Sequence, residues 1–295
     1  MGSHRRDAIA WTMLAPMVVI VLAVTAYPFL RTIWLGFNER PLVGLHAHST
    51  WVGLKNYGSA WTNPDFRAAL WRTLYFTVAS VGAEVVLGTA VGLLLNQPFR
   101  GRAAARALLV LPIAMPTIVS SMMWRIIFNP EFGSLNALLS QLHLIDAYQS
   151  WLGEPGLAMN MVIIAEVWKN YPLVAIVVLA ALQIVPRELY EAATMDGAGA
   201  VRRFLSVTLP VLLPSLSVVI VLRTIEAFKV FDIIFIMTRG GPADSTKTAS
   251  FFVYNESFSY LKAGSGAAYA MVVVAISLAL IALYLAAVSR QPRAT

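Results

Sequence analysis

The chain has 295 residues, of which 58% are hydrophobic and 13% charged, and its mean hydropathy is +0.70. A soluble domain is about 45–50% apolar and about 25% charged, so this balance excludes an ordinary soluble enzyme and describes an all-α, polytopic membrane protein. The formal charge of +7 does not mark a nucleic-acid binder, because Lys and Arg flank apolar segments instead of gathering on an exposed helix among stacking aromatics.

The absence of cysteine rules out disulfides and thiolate metal sites. The four histidines, His4, His46, His48 and His143, are scattered. His46 and His48 are spaced to share one ion, with two polar loop residues as the plainer alternative, and no metal site is expected. Neither HExxH nor the GxxxxGK phosphate loop occurs, so no zinc-protease site and no ATP-binding loop are expected in this chain. The energy source sits on another chain or is an ion gradient.

A bilayer crossing takes about 20 apolar helical residues. Six segments qualify: 10–37, 72–95, 105–128, 158–182, 209–237 and 268–288. Together they predict six transmembrane helices in one membrane domain spanning 1–295. The first continues past the length of a signal-peptide core, so it is expected to be a permanent span. Residues 38–71 form an amphipathic connection, and 129–156 form a loop with Pro and Gly but no Lys or Arg.

Basic residues near short loops give the orientation. Arg5, Arg6, Arg100, Arg102, Arg106, Arg187, Arg202, Arg203, Arg290 and Arg293 fall on one side. Arg40, Lys55, Arg67, Arg239, Lys247 and Lys262 are diluted over longer loops on the other. Both termini, and the loop 183–208, are predicted to be cytoplasmic.

That loop reads "QIVPRELYEAATMDGAGAVRRFLSVTLPVLLP" into the fifth span. Pro186 suits the start of a helix, Arg187 to Met195 are mostly helix formers, and Asp196-Gly197 supplies a stop that uses glycine's freedom at positive φ. A second helix is expected from Ala198 through Arg203 toward Pro210. Small Ala192, Ala193, Gly197 and Ala198 beside acidic Glu191 and Asp196 make a short helix suited either to docking in a partner's groove or to a tight hairpin with no partner.

The fifth span contains "RTIEAFKVFD", residues 223–232. On a continuous helix Arg223, Glu226, Lys229 and Asp232 form a slanting stripe of alternating sign. Each charge at mid-membrane costs about 2.5–3.5 kcal/mol, so the stripe must face protein or water. It is either an intrahelical ladder completed by Glu84, Glu166 and Lys169 of other spans, or part of a polar path.

"YEAATMDGAGAVRRFLSVTLP" closely resembles the EAA loop of ATP-binding-cassette importer permeases, matching it at Glu191, Ala192, Ala193, Asp196, Gly197, Ala198, Phe204, Leu209 and Pro210. "WVGLKNY", "LLVLPIAMP", "IIFNPEFGSLN", "WKNYPL" and "TRGGPADSTKTASFFVYNESF" resemble segments of the sugar-importer permeases of maltose and glycerol-phosphate type, specifically the first permease of a non-identical pair. The resemblance implies the type I ABC importer permease fold and import of a carbohydrate, such as a di- or oligosaccharide, across the bacterial inner membrane. It implies a second permease, two ATP-binding subunits that carry ATP and magnesium, and an extracytoplasmic sugar-binding protein or lipoprotein. It makes residues 191–198 the coupling element to the ATPases. The maltose-type permease carries extra spans and a large external insertion that this chain lacks.

In that system sugar contacts lie in the fourth and fifth spans, which align near Asn170 and Leu173 and near Arg223, Glu226 and Ala227, and Tyr171 is a further candidate for the path. The family residues there are uncharged, and Arg223 and Glu226 depart from them. Trp168 and Tyr171 suit either sugar stacking or interfacial anchoring. Asn170 suits the path or an interhelical hydrogen bond. The alternative class is a proton- or sodium-driven secondary transporter using Glu84, Glu166, Glu226 and Asp232.

Overall fold

A computed structural model describes residues 3–39 and 49–289. The first apolar segment forms α1 (Ser3–Val21), a π-helical turn at Leu22–Ala26, and α2 (Tyr27–Gly36). Pro28 lies just past that turn and Pro210 just past a second one, Phe204–Thr208. Proline cannot donate to the preceding turn and crowds the carbonyl four residues back, and a widened turn relieves both problems.

After α2 come a two-residue hairpin of β1 (Asn38–Glu39) with β2 (Thr50–Trp51), then α3 (Lys55–Thr62) and the 33-residue α4 (Pro64–Asn96). The predicted third span divides into α5 (Arg102–Ala114) and α6 (Thr117–Ile127), bent by 98°. Its cause is Met115-Pro116: the residue before proline is driven to extended backbone, and Met115 takes φ −77° and ψ 132°. At 13 residues, α5 reaches about 20 Å and does not cross alone.

The chain continues through α7 (Ser134–Gln141), α8 (Pro155–Leu182), α9 (Arg187–Met195) and α10 (Ala200–Arg203). It ends with α11 (Leu209–Phe228), α12 (Asp232–Met237), α13 (Ala249–Tyr254) and α14 (Ala263–Ser289). Among the described residues five helices are long and apolar enough to cross a membrane, and the bent pair makes six if it counts as one crossing. Arg40, His46, His48, Arg290 and Arg293 lie outside the described residues, and so does the suggested histidine ion site.

The described residues form two compact units. In the first, residues 1–67 with 252–276, Asn56 is buried and donates Nδ2 to the Gly36 and Asn38 carbonyls at 3.0 Å each. Phe66 stacks on Tyr269 at 4.7 Å and tilts against Phe252 at 5.3 Å.

In the second unit, residues 68–251 with 277–295, α8 is mostly apolar and more than half of it is buried, as expected of a helix at the centre of a bundle. One face packs Val174, Val178 and Leu182 on Leu212, Leu216 and Val219 of α11. Gly88 and Gly92 of α4 lie against it so closely that a Cβ at Gly88 would sit 2.5 Å from Val174 Cβ, and one at Gly92 2.7 Å from Val178 Cγ1. This is the small-xxx-small contact that lets membrane helices touch through their backbones.

Gly88→Val is therefore expected to destabilise the protein by about 1–3 kcal/mol through overpacking. Gly82→Ala, where nothing lies within 4 Å of the added carbon, is expected to be neutral or stabilising. Thermal size-exclusion profiles of the two detergent-solubilised variants check the contrast.

Candidate functional site

Three long helices of the second unit bring four charges together. Arg223 of α11 is 3% exposed and Glu84 of α4 is fully buried. The guanidinium engages Glu84 with two bonds, Nε to Oε2 at 2.8 Å and Nη2 to Oε1 at 3.0 Å. Nη2 also donates to Glu166 Oε1 of α8 at 2.8 Å, and Nη1 to Glu226 Oε2, one turn on in α11, at 2.5 Å. Bidentate, charge-assisted pairing of this kind is the geometry in which a buried guanidinium offsets its desolvation. Asn170 extends the network by donating to Glu166 Oε1 at 2.8 Å and to the Glu166 carbonyl at 3.0 Å.

The network forms one wall of a cavity of about 560 Å³. Glu166, Lys169 and Asn170 line it from α8, Arg223 and Glu226 from α11, and residues 229–233 from the segment that follows, with Thr117 at the start of α6. Lys169 Nζ donates to Thr117 Oγ1 at 2.9 Å. The Glu226 side chain is 62% exposed, so this carboxylate faces the opening while Arg223 is held behind it.

Of the six residues expected on the path, Asn170, Arg223 and Glu226 meet at the cavity. The other three turn elsewhere: Tyr171 packs beside Leu95, Leu109 and Ala175, Leu173 against the α8–α11 contact, and Ala227 into the core around Val162 and Ile234. Trp168 meets the Trp124 ring edge-on at 5.7 Å, an interhelical contact.

The continuous four-charge stripe is not formed. Helix α11 stops at Phe228, Lys229 caps it, and Asp232 opens α12. Three-residue spacing aligns neighbours only while the helix continues, so the single rung is Arg223–Glu226, and Lys229 and Asp232 make no ion pair among the described residues. Thr248 Oγ1 donates to the Val230 carbonyl freed at the break, at 3.2 Å. Irregular backbone at membrane depth persists where protein or a watered cavity surrounds it, and residues 229–233 line that cavity.

Around the cytoplasm-predicted loop, α9 holds Glu191 and Ala192 on an exposed surface with Ala193 half-buried. Gly197 takes φ +74°, and its N–H bonds the Thr194 carbonyl at 3.0 Å while that of Ala198 bonds Ala193 at 2.9 Å. This is the Schellman stop, which needs a left-handed residue at Gly197. Asp196 is the C-cap. The second loop helix starts at Ala200, not Ala198, because Gly199 is its extended N-cap. Tyr190 and Thr208 hydroxyls are 3.1 Å apart, and Arg203 Nη1 donates to Thr194 Oγ1 at 2.9 Å, so the loop is closed on itself with its acidic face outward.

The model of the family described as binding-protein-dependent transport system inner membrane component matches residues 84–291. The chain belongs to that family. It is 37% identical over 252 residues to the trehalose/maltose transport system permease protein MalF of Thermococcus litoralis, covering 85% of this chain and 84% of that one. It is 34% identical over 278 residues to the sulfoquinovosyl glycerol transport system permease protein SmoG of Agrobacterium fabrum, covering 94% and 89%. Among solved structures, that of a bacterial ABC transporter involved in import of the acidic polysaccharide alginate superposes with a TM-score of 0.83 at 21% identity, covering 98% of each chain. That likeness gives the ABC importer permease fold.

Membership of the binding-protein-dependent permeases decides against the gradient-driven carrier. In this permease the membrane carboxylates Glu84 and Glu166 hold Arg223. Sequence reasoning missed Asn136, which is fully buried and closes the loop after α6. Its Nδ2 donates to the Gln149 carbonyl at 2.9 Å, and its Oδ1 accepts from Gln149 N at 3.1 Å and Trp151 Nε1 at 2.9 Å.

Proposed function

We propose that this permease is the first of two transmembrane subunits of a bacterial ATP-driven importer that carries a di- or oligosaccharide across the inner membrane, with both termini in the cytoplasm. The observation that carries the reading is the likeness, along most of the chain, to permeases named for trehalose, maltose and a sulfoquinovosyl glycoside. The cavity is suited to such a cargo. Glu226 and Asp232 offer acceptors, Lys169 and Lys229 donors, and Asn170 both, and a hydroxyl-rich ring needs donors and acceptors together.

ATP and magnesium bind on two partner subunits, and the cycle they drive reaches this chain through Glu191 to Ala198. The exposed α9, stopped at Gly197, is the docking element. Its motion passes along α10 and the π turn into α11, whose far end bears Arg223 and Glu226. The cavity thereby alternates between inward and outward access, loaded by an extracytoplasmic sugar-binding protein or lipoprotein. No bond is made or broken by this chain.

Purification of the chain in mild detergent from its native membrane, followed by an ATPase assay with sugars and the co-purified binding protein, tests the reading. A second permease and an ATPase are expected to co-purify, with hydrolysis stimulated by one sugar only when its binding protein is present. A lone chain, or a complex stimulated by a non-carbohydrate, overturns it.

A further inference from the structure

The first unit carries an apolar surface that the transport reading does not use. Every residue from Trp11 to Thr25 is exposed, and on α2 Phe29, Leu30 and Trp34 are 47%, 63% and 55% exposed. A membrane helix this open meets lipid or another protein along its length. At its end the exposed strip does not stop: the Trp34 ring lies 5.3 Å from that of Trp51, and Trp51 is 61% exposed. Leu54, at 69%, and Trp61, at 61%, continue it along α3.

Helix α3 is amphipathic. Its inner positions, Asn56 and Ala60, are buried, while Leu54, Gly58 and Trp61 fall on the opposite, exposed side at the spacing of a helical face. The inner face is fastened firmly. Asn56 holds the backbone of Gly36 and Asn38, Tyr57 donates its hydroxyl to the Ile33 carbonyl at 3.3 Å, and a Cβ on Gly36 would meet the Tyr57 hydroxyl at 2.5 Å. The outer face therefore keeps a fixed place relative to the end of α2.

We propose that this face, Trp51, Leu54 and Trp61, lies in the lipid headgroup layer at the end of the first span, as an interfacial helix continuous with the exposed side of α2. Three observations carry it: continuity with the open span through the Trp34–Trp51 contact, two tryptophans at a boundary where indole rings concentrate, and a polar inner face already satisfied by protein. The exposed side carries one charge, Lys55, which snorkels toward Glu39 at 3.5 Å. An interfacial helix needs such an apolar face with a polar flank.

The chain has no cysteine, so Leu54→Cys and Trp61→Cys each give one spin-label site on this chain. Labels are read in the assembled importer in nanodiscs, by collision with oxygen against a water-soluble nickel chelate, with and without the binding protein. Both labels are expected to collide several-fold more with oxygen than with the chelate, and to do so whether or not the binding protein is present. Free collision with the chelate at both sites overturns the proposal in favour of a watered surface. Labels that are shielded from both reagents, whether always or only when binding protein is added, overturn it in favour of a protein contact. Sugar-stimulated ATPase activity of the same labelled complexes reports separately on the importer reading.

Discussion

Arg223→Leu is expected to destabilise the protein by about 3–5 kcal/mol, the cost of removing one partner from a buried ion pair. The substitution leaves Glu84, with no exposed surface, and Glu166, 8% exposed, facing an apolar side chain. Each then loses the charge-assisted bonds at 2.8–3.0 Å that now compensate its desolvation. Melting of the detergent-solubilised variant, followed by size-exclusion, gives the loss directly. Combining Arg223→Leu with Glu84→Gln is expected to recover part of it, because one of the stranded charges is gone. A sum of two independent losses would mean that the pair is not coupled. Glu226→Gln separates the other role. With its side chain 62% exposed, this residue is expected to leave the melting temperature nearly unchanged and to lower sugar-stimulated hydrolysis.

Glu191→Lys is expected to abolish uptake while leaving a folded protein in the membrane. Glu191 is exposed on α9 with no ion pair among the described residues, so inverting its charge falls in the range of about ±0.5 kcal/mol typical of open surfaces. A docking surface behaves differently: a like charge set against a partner, or an acceptor replaced by a bulky donor, costs several kcal/mol in association. The measurements are uptake into proteoliposomes, co-purification of the ATPase, and expression by size-exclusion. Wild-type uptake by a properly assembled variant would remove the docking role from this residue.

The long helices were legible because hydropathy over about 20 residues dominates every other signal. That dominance also hid the bend at Met115-Pro116, where the proline was in plain view inside an apolar run. Glu84 and Glu166 were named as partners for the charged span on cost alone, since carboxylates at membrane depth must find cations, and both lie on Arg223. The break after Phe228 had no such signal. No Gly or Pro marks residues 229–231, and what steadies the freed carbonyl is Thr248, 18 residues away. Tyr171 and Leu173 show a different limit. Sequence places a residue on a given turn of a helix, but its phase depends on packing, and only Asn170 of that group lines the cavity with Glu166 and Lys169. Asn136 was unreadable because its partners are backbone groups and an indole 13–15 residues distant.

The π turn at Phe204–Thr208 lies on the covalent route from α9 to α11, and its mechanical character differs from that of the helices on either side. A π turn holds one residue more than an α turn and interrupts the i→i+4 ladder, which makes it the candidate joint along this route. In the proposed cycle a push delivered to α9 would be partly absorbed there as twist before it arrives at Glu226. The gain of the machine, how much cavity movement follows from a given stroke at the cytoplasmic face, would in that cycle be tuned by the stiffness of these five residues, of which Thr208 is held to Tyr190 of α9 at 3.1 Å.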